Sequence, residues 1–182
     1  MKKTALDTFD NKGYKPGSLA KRSLWYVINM VFFNTPIPFP SVLKRTFLRI
    51  FGANIGKGVV IKPSIKIKYP WMLSVGNHSW IGEGVWIDSL GKVDIGADCC
   101  ISQGAMLLCG NHDFSVSSFD LIVGDITLEA GVWLGAKSIV TPGVTCHSHS
   151  VLSVGSVTSK NLEAYSIYRG NPAEKIKSRT VK

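Results

Sequence analysis

Large apolar residues recur every six positions from Ile55 onward, an interval that matches neither an α-helix nor an alternating strand. Fifteen six-residue units can be marked, and thirteen of them begin with Ile, Leu or Val. The fifteen unit starts are Ile55, Ile61, Ile67, Val75, Ile81, Ile87, Ile95, Ile101, Leu107, Leu128, Leu134, Val140, Cys146, Leu152 and Thr158. The fifth position is Ser, Ala, Cys or Val in ten units. This pattern predicts a short flat strand and a corner in each unit. Three units would close a triangular coil with the aliphatic residues inside.

Shifts in the six-residue frame predict where the column of coils is interrupted. Residues 73–75 and 93–95 are similar and lie 20 positions apart, whereas the matching residues 126–128 follow only after 33 more. One coil therefore carries an insertion at about 109–122, within a column that we place at 53–162. A long loop on a rigid scaffold is a common place for functional groups.

The segments on either side of the column lack this repeat. Residues 21–33 and 41–51 have helix-like apolar spacing, and the proline-rich residues 35–40 separate them, so we expect 1–52 to form a helical cap on the column. The C-terminal segment, 163–182, is expected to end in a short basic helix or tail. A second interpretation places the cap on an anionic membrane. It rests on the aromatic and basic residues Trp25, Phe32, Phe33, Phe39, Lys21, Arg22, Lys44, Arg45 and Arg49.

Composition and charge limit the class of protein and the kinds of partner, but they do not identify one partner. The 182 residues are 45% apolar and 18% charged, which argues against disorder, and the formal charge of +9 suits nucleic acid, a phosphorylated cofactor or an anionic membrane. The N-terminus lacks the apolar core of a secretory signal, and no apolar run approaches the length of a membrane span. Four cysteines without a CxxC pair suggest reduced thiols. We therefore expect a cytoplasmic protein.

One of the four histidines stands at a position suited to catalysis. His112 occurs where the regular column gives way to the long loop, whereas His78, His147 and His149 fall on outward or corner positions of regular coils. Imidazole titrates near neutrality and can accept the proton of an attacking alcohol. Position alone leaves a structural role for His112 equally open.

Several segments, taken in order, resemble the left-handed β-helix acyltransferases, and most of all the sugar O-acetyltransferases. They are Trp133-Leu134-Gly135-Ala136, Thr141-Pro142-Gly143-Val144 and Arg169-Gly170-Asn171-Pro172-Ala173. Four others are similar to the exopolysaccharide, or colanic acid, branch: Phe51-Gly52-Ala53, Ile61-Lys62-Pro63-Ser64, Tyr69-Pro70-Trp71 and Ile101-Ser102-Gln103. The resemblance covers residues 20–178. It implies a mainly β fold, a left-handed parallel β-helix of hexapeptide repeats.

The resemblance also implies a mechanism and an assembly. A homotrimer would bind acetyl-CoA between neighbouring columns, and His112 would be the general base for direct attack on the thioester. A backbone amide near Gly135 or Ala136 of the adjacent column would stabilise the oxyanion. The cosubstrate contacts carry over to Gly135, Ala136, Val154, Ser159, Lys160 and Lys177. Glu174 stands where relatives carry Arg, so the resemblance does not supply that phosphate contact.

The acceptor site is predicted only from position near His112. Trp86, Asp88 and Asp113 fall on outer faces or on the loop, where Trp86 could stack on a sugar ring and the carboxylates could bind hydroxyls. The N-terminal sugar contacts of galactoside-type relatives have no match here. A nucleotide sugar and a lipid-linked repeat unit therefore remain open as acceptors.

Other functions of the same fold are weighed against this one. N-acetylation of an amino sugar needs the same base, and a non-catalytic β-helix that only binds a partner is a third possibility. The metal-dependent hydratases need three histidines around Zn²⁺, but no second histidine lies within thirty residues of His112. We expect no metal and no nucleic-acid partner.

Overall fold

Two short helices precede the repeats in the computed structural model, which describes residues 3–181. Helix α1 spans Leu19–Ile28 and runs on into a π-helical turn, Asn29–Phe33, while α2 spans Ser41–Ile50. Ser18 caps α1, because its Oγ accepts a hydrogen bond from the amide of Lys21. Both predicted helices are confirmed. The predicted segments 1–52 and 163–182 include residues 1–2 and 182, which lie outside the described part.

Nineteen short strands follow within residues 3–181, and those of the column lie three to a coil, apart from the hairpins β10–β11 and β18–β19. They are β1 (Asn54–Ile55), β2 (Val60–Ile61), β3 (Lys66–Ile67), β4 (Leu73–Val75), β5 (Trp80–Ile81), β6 (Trp86–Asp88), β7 (Val93–Ile95), β8 (Cys100–Ile101), β9 (Met106–Leu108), β10 (Gly110–His112), β11 (Leu121–Val123), β12 (Ile126–Leu128), β13 (Trp133–Leu134), β14 (Ile139–Val140), β15 (Thr145–Cys146), β16 (Val151–Leu152), β17 (Val157–Thr158), β18 (Ser166–Gly170) and β19 (Ala173–Ser178). Three sheets form the sides of the column, in the orders β1-β4-β7-β12-β15, β2-β5-β8-β13-β16-β18-β19 and β3-β6-β9-β14-β17. Apart from the final β18–β19 pair, their strands are parallel.

The register of the coils is the one that the six-residue frame predicts. Ile55 pairs with Val75, and Val75 with Ile95, so successive unit starts stack in one row. Leu128 joins the same row across the insertion. All fifteen starts are buried, none more than 5% exposed. The aliphatic residues therefore fill the interior of the column and make it rigid.

Basic residues of α2 close the open end of the first coil. A terminal coil exposes carbonyl groups that have no neighbouring strand, and such groups need partners. Three side chains donate to them: Lys44 Nζ to Lys62 O (2.8 Å), Arg45 Nη1 to Val59 O (2.6 Å) and Arg49 Nη2 to Ile55 O (2.7 Å). Burial lowers the pKa of Lys44. The helical cap is thus held by charge-assisted hydrogen bonds as well as by packing.

This arrangement corrects the residue set proposed for membrane contact. Trp25 and Phe33 are buried and in edge-to-face contact with each other, and Lys44, Arg45 and Arg49 serve the first coil. All five side chains build the cap, and Trp25, Phe33 and Lys44 are buried in it and not available for membrane contact. Neither helix in the described part has the length and hydrophobicity of a bilayer-spanning segment.

The C-terminal segment is a β-hairpin, so the prediction of a helix or tail was wrong. Strand β18 extends the second sheet beside β16, and β19 returns antiparallel to it. The turn between them lies at residues 171–172. The hairpin covers the last strand edge of that sheet, where unpaired backbone groups would otherwise be exposed. A short basic run carries no local signal for such an edge.

Candidate active site

His112 is presented by the hairpin that forms the predicted insertion. Strands β10 and β11 pair antiparallel, with His112 opposite Leu121, and residues 113–120 close the loop. The Nδ1 atom of His112 lies 2.8 Å from the carbonyl oxygen of Phe119. A carbonyl only accepts, so Nδ1 carries the proton and Nε2 keeps its lone pair. Within residues 3–181, Nε2 has no hydrogen-bond partner.

Two aromatic rings pack against this imidazole and restrict its orientation. The ring of Phe119 is nearly parallel to it, at 8° and 4.5 Å between centroids, and the ring of Phe9 lies 5.5 Å away. Phe119 adopts a positive φ of 54°, which is uncommon for a bulky residue and aims its carbonyl back at His112. The histidine is therefore held in one tautomer and one plane.

The N-terminal segment crosses the His112 loop, a feature that sequence reasoning missed. The amide of Ala5 donates to the carbonyl of Ser117 (2.8 Å), and the Tyr14 hydroxyl donates to the carbonyl of Leu90 (2.7 Å). Burial raises the pKa of Tyr14, so its hydroxyl remains a donor. Phe9 lies between these two anchors. The segment has no periodic pattern from which this contact could have been predicted.

The predicted acceptor residue Asp113 is engaged within its own loop. Its Oδ1 accepts from both the amide and the hydroxyl of Ser115, and these hydrogen bonds lower the pKa of the carboxyl group. Asp113 does not line the cavity that contains His112. The structure therefore does not bring Asp113 to the candidate site as a free ligand-binding group.

Trp86, Asp88 and His112 lie along one groove, which we call the His112 groove. It consists of two adjoining cavities of about 710 and 450 Å³. The larger is lined by Trp86 and Asp88, the smaller by His112, and both by Lys68 and Arg22. Lys68 Nζ lies 3.1 Å from Asp88 Oδ1, so a buried carboxylate and its cation meet in the middle of the groove.

Three of the six residues predicted to contact acetyl-CoA line a separate cavity of about 560 Å³, the Ala136 cavity. Gly135, Ala136 and Val154 line it together with the half-exposed ring of Trp133. A Cβ on Gly135 would lie only 2.5 Å from the amide of Val154, so glycine is required for the close approach of two coils.

The structure distinguishes the two amides predicted for the oxyanion. The N–H of Gly135 donates to the carbonyl of Leu152 (2.7 Å) and is not free. The N–H of Ala136 has no acceptor among residues 3–181. Of these two amides, only that of Ala136 is free to donate to an oxyanion at this cavity.

The other three predicted cosubstrate residues lie outside the Ala136 cavity. Ser159 and Lys160 follow β17, in a turn held by a 2.7 Å hydrogen bond from the Thr158 hydroxyl to the carbonyl of Lys160. Lys177 pairs with Ile167, which does line the cavity. Lys177 is thus one strand away from it, while Ser159 and Lys160 are exposed on the neighbouring corner.

The His112 groove and the Ala136 cavity share no lining residue. They belong to different sides of the column, because the loop with His112 follows β9 of the third sheet whereas Trp133 and Gly135 belong to or follow β13 of the second. One copy of the chain therefore holds His112 and the Ala136 cavity apart.

The cysteines of the chain are free thiols, three of them buried. Burial raises the pKa of Cys109 to about 11 and that of Cys146 to about 12, so both remain protonated near neutrality and are poor nucleophiles. Among residues 3–181, no three His, Cys, Asp or Glu side chains are grouped so that they could hold a metal ion.

A three-sided parallel β-helix with a histidine on a looped-out hairpin is the architecture of hexapeptide-repeat acyltransferases, and comparisons with known proteins agree. No family model matches the chain. The protein of Escherichia coli (strain K12) that bears the name colanic acid biosynthesis acetyltransferase WcaF is 39% identical over 171 residues, which cover 92% of each chain. The chain therefore belongs to the family of colanic acid biosynthesis acetyltransferases, and it is an acetyltransferase.

Solved structures confirm the predicted fold class, a left-handed parallel β-helix. A hexapeptide-repeat acetyltransferase from Vibrio cholerae, solved with acetyl-CoA, has a TM-score of 0.82 at 17% identity and covers 96% of this chain and 97% of its own. A maltose O-acetyltransferase from Clostridium difficile 630 has a TM-score of 0.81 at 22% identity, over 90% of this chain and 88% of its own. At these identities the likeness shows the fold alone.

Proposed function

We propose that this enzyme transfers the acetyl group of acetyl-CoA to a sugar hydroxyl during the synthesis of a surface polysaccharide. The support comes from the 39% identical relative, whose name places it in colanic acid biosynthesis, and from the O-acetyltransferase among the structural neighbours. The observation that carries the proposal is the Nδ1 contact between His112 and the carbonyl of Phe119, because it leaves Nε2 as a base.

In the proposed reaction, His112 Nε2 accepts the proton of the acceptor hydroxyl while the acceptor oxygen attacks the thioester carbonyl. The N–H of Ala136 stabilises the oxyanion that forms. The carbon–sulfur bond then breaks, and His112 returns its proton to the departing thiolate of coenzyme A. The products are the acetyl ester and free coenzyme A, and no covalent enzyme intermediate is needed.

The separation of the two halves of the site supports a homotrimer. Within one chain the His112 groove and the Ala136 cavity share no lining residue. A second copy, packed side by side, would bring its own Ala136 cavity to the first copy's His112. Closed rings satisfy such a heterologous contact at every seam, and three copies give three complete sites.

The Ala136 cavity is the proposed site for the acetyl and pantetheine portions of the cosubstrate. Gly135 and Val154 form apolar walls of this cavity. Val154 is 71% exposed in the single chain, so a ligand or a neighbouring copy can cover it. Ser159 and Lys160 on the adjacent corner, and Lys177 on β19, would contact the polar and phosphate portions.

The His112 groove is the proposed acceptor site. Trp86, 39% exposed, offers a ring on which a sugar can stack, and Asp88 can accept hydrogen bonds from hydroxyls. Asp113 is kept as a weaker candidate because Ser115 already occupies its carboxylate. We propose that the acceptor is a nucleotide sugar or a lipid-linked saccharide. The enzyme would then act in the cytoplasm, at or near the inner face of the membrane.

The test is a screen of acetyl-CoA turnover with free sugars, amino sugars, nucleotide sugars and lipid-linked oligosaccharides as acceptors. We expect an ester product, with turnover lowered at least ~10²-fold in His112→Ala. His147→Ala, in a regular coil, is the matched control and should retain activity. Acetylation of an amine alone would replace the hydroxyl acceptor, and unchanged turnover in His112→Ala would remove the proposed base.

A further inference from the structure

The net positive charge of the protein lies at one end of the column. Residues 11–82, which form the cap, the first coil and β4–β5, contain eleven Lys or Arg and no Asp or Glu. The other 110 residues contain ten Lys or Arg and all twelve acidic residues. The net charge of +9 therefore belongs to the N-terminal end, whereas the rest of the column is slightly acidic. An uneven distribution of this kind orients a protein towards an anionic surface.

The same end exposes an apolar helix face, which we define as Leu24, Val27, Met30 and Val31. These side chains are 44–58% exposed, and they occupy the side of the α1 helix and its π-helical turn that is opposite the buried Trp25. No charged residue occurs between positions 23 and 43. An exposed helix face without charges is unusual on a protein surface that meets only water.

Cations border this face directly. Val27 and Tyr26 line the larger cavity of the His112 groove together with Arg22, Lys66 and Lys68, so residues of the helix and cationic residues surround the same cavity. Lys66 is exposed, and no acidic residue of the 11–82 stretch neutralises it. Apolar side chains flanked by Lys and Arg are the combination that binds at the surface of an anionic bilayer.

We propose that the apolar helix face docks on an anionic lipid bilayer, with exposed lysines of residues 11–82, such as Lys62 and Lys66, bound to its headgroups. This deepens the proposed function, on which it rests, because the acceptor groove opens beside the docking face. The side chains proposed to contact lipid are exposed. They differ from Trp25 and Phe33, which are buried, and from Lys44, which is hydrogen-bonded to the first coil. In the proposed trimer, three such ends would act together and strengthen a weak single contact.

The test is sedimentation of the purified full-length protein with vesicles, without acetyl-CoA or acceptor. We expect binding to vesicles in which roughly a third of the lipid is phosphatidylglycerol, little binding to phosphatidylcholine alone, and loss of binding as salt is raised. Leu24→Ser combined with Val27→Asn should weaken binding at least ~10-fold. Lys62→Glu should weaken vesicle binding about tenfold, since the substitution lowers the surface charge by two units.

Matched controls carry similar changes at the other end or on the sides of the column. Ile176→Asn removes an apolar side chain of comparable exposure from β19, and Lys137→Glu reverses a charge outside the basic stretch; both should bind vesicles as the wild type does. Turnover of a soluble acceptor, measured separately, distinguishes failure of the docking proposal from failure of the proposed function.

Three results would overturn the docking proposal. The first is binding that does not depend on phosphatidylglycerol or on the Leu24–Val27 pair. The second is a smaller oligomer in the Leu24→Ser, Val27→Asn variant, which would assign the face to a second copy of the chain. The third is capture of a duplex oligonucleotide without any binding to vesicles, which would assign the basic end to nucleic acid.

Discussion

The ring of Phe9 lies 5.5 Å from the ring of His112, on a segment that is anchored at Ala5 and Tyr14. Phe119 stacks on the same imidazole, so the histidine contacts two aromatic rings. Phe9 lines neither the His112 groove nor the Ala136 cavity. We therefore propose that it positions His112, so its loss should lower the rate of the chemical step rather than the stability of the fold.

Phe9→Ala should lower kcat about tenfold with little change in the KM for acetyl-CoA, since the imidazole loses one of its aromatic contacts. Phe9→Leu should recover most of the lost activity because it restores the apolar contact. Leu6→Ala is the matched control, as Leu6 is 64% exposed in the same segment. Steady-state kinetics of the three variants would contradict the positioning role if the Phe9 and Leu6 variants behaved alike.

Phe119→Leu tests which part of Phe119 matters. The substitution keeps the backbone carbonyl that accepts from His112 Nδ1 and removes only the stacked ring. A decrease in kcat of about 3–10-fold is expected, the range for one aromatic contact. Phe114→Leu, at an 84% exposed position of the same loop, should be silent. A loss approaching that of His112→Ala would mean that the ring, and not the carbonyl, holds the base.

Ile101→Asp should unfold the column. Ile101 is 1% exposed, with Ile81 beside it in the sheet on one side and Leu134 on the other, so the new carboxylate would have no partner. A cost of at least ~4 kcal/mol in the free energy of unfolding is expected. Cys100→Asp, on the outward-facing neighbour, should cost far less. Urea denaturation measures both, and a stable Ile101→Asp protein would contradict the inward orientation of the unit starts.

Acid stability should depend on Glu129, which joins two coils. Its carboxylate accepts from His147 Nδ1 (2.9 Å) and from the amide (2.7 Å) and hydroxyl (2.8 Å) of Ser148, and these hydrogen bonds lower its pKa below the ordinary value of 4.5. The stabilisation is therefore present above pH 4.5 and is lost as the pH falls through the lowered pKa.

Glu129→Gln should lose stability at pH 6 and show a flatter decline towards pH 3 than the wild type. Glu174→Gln, on the exposed edge of the C-terminal hairpin, provides the control. Thermal unfolding across this pH range compares the three proteins. Parallel curves for wild type and Glu129→Gln would show that the hydrogen bonds to His147 and Ser148 contribute nothing.

The column could be predicted from sequence because its geometry is local and repetitive. Each unit start must fill the same position inside the prism, so Ile81 and Leu134 obey one rule although they are far apart in the chain. The C-terminal hairpin does not follow this repeat, because β19 forms by pairing with the exposed edge of β18. Nothing in the residues of β19 themselves distinguishes that strand from a basic tail.

The site could be predicted only in part. The break in the six-residue frame located His112 and its loop, but the partners of His112 depend on where the chain returns. Phe119 meets it through a left-handed backbone conformation, and Phe9 through a segment without any pattern. Whether Gly135 or Ala136 has a free amide depends on the stacking of coils. These contacts depend on the tertiary structure and have no counterpart in the sequence pattern.

The central claim is that His112 of one copy acts on a thioester held in the Ala136 cavity of the next, and mixed oligomers test it most directly. His112→Ala and Ala136→Trp, each expected to be inactive alone, would be co-expressed with different tags and purified through both. Recovery of about a third of wild-type turnover is expected, because each mixed ring of three contains one seam with both halves intact. Activity no higher than that of the two parent variants would contradict it.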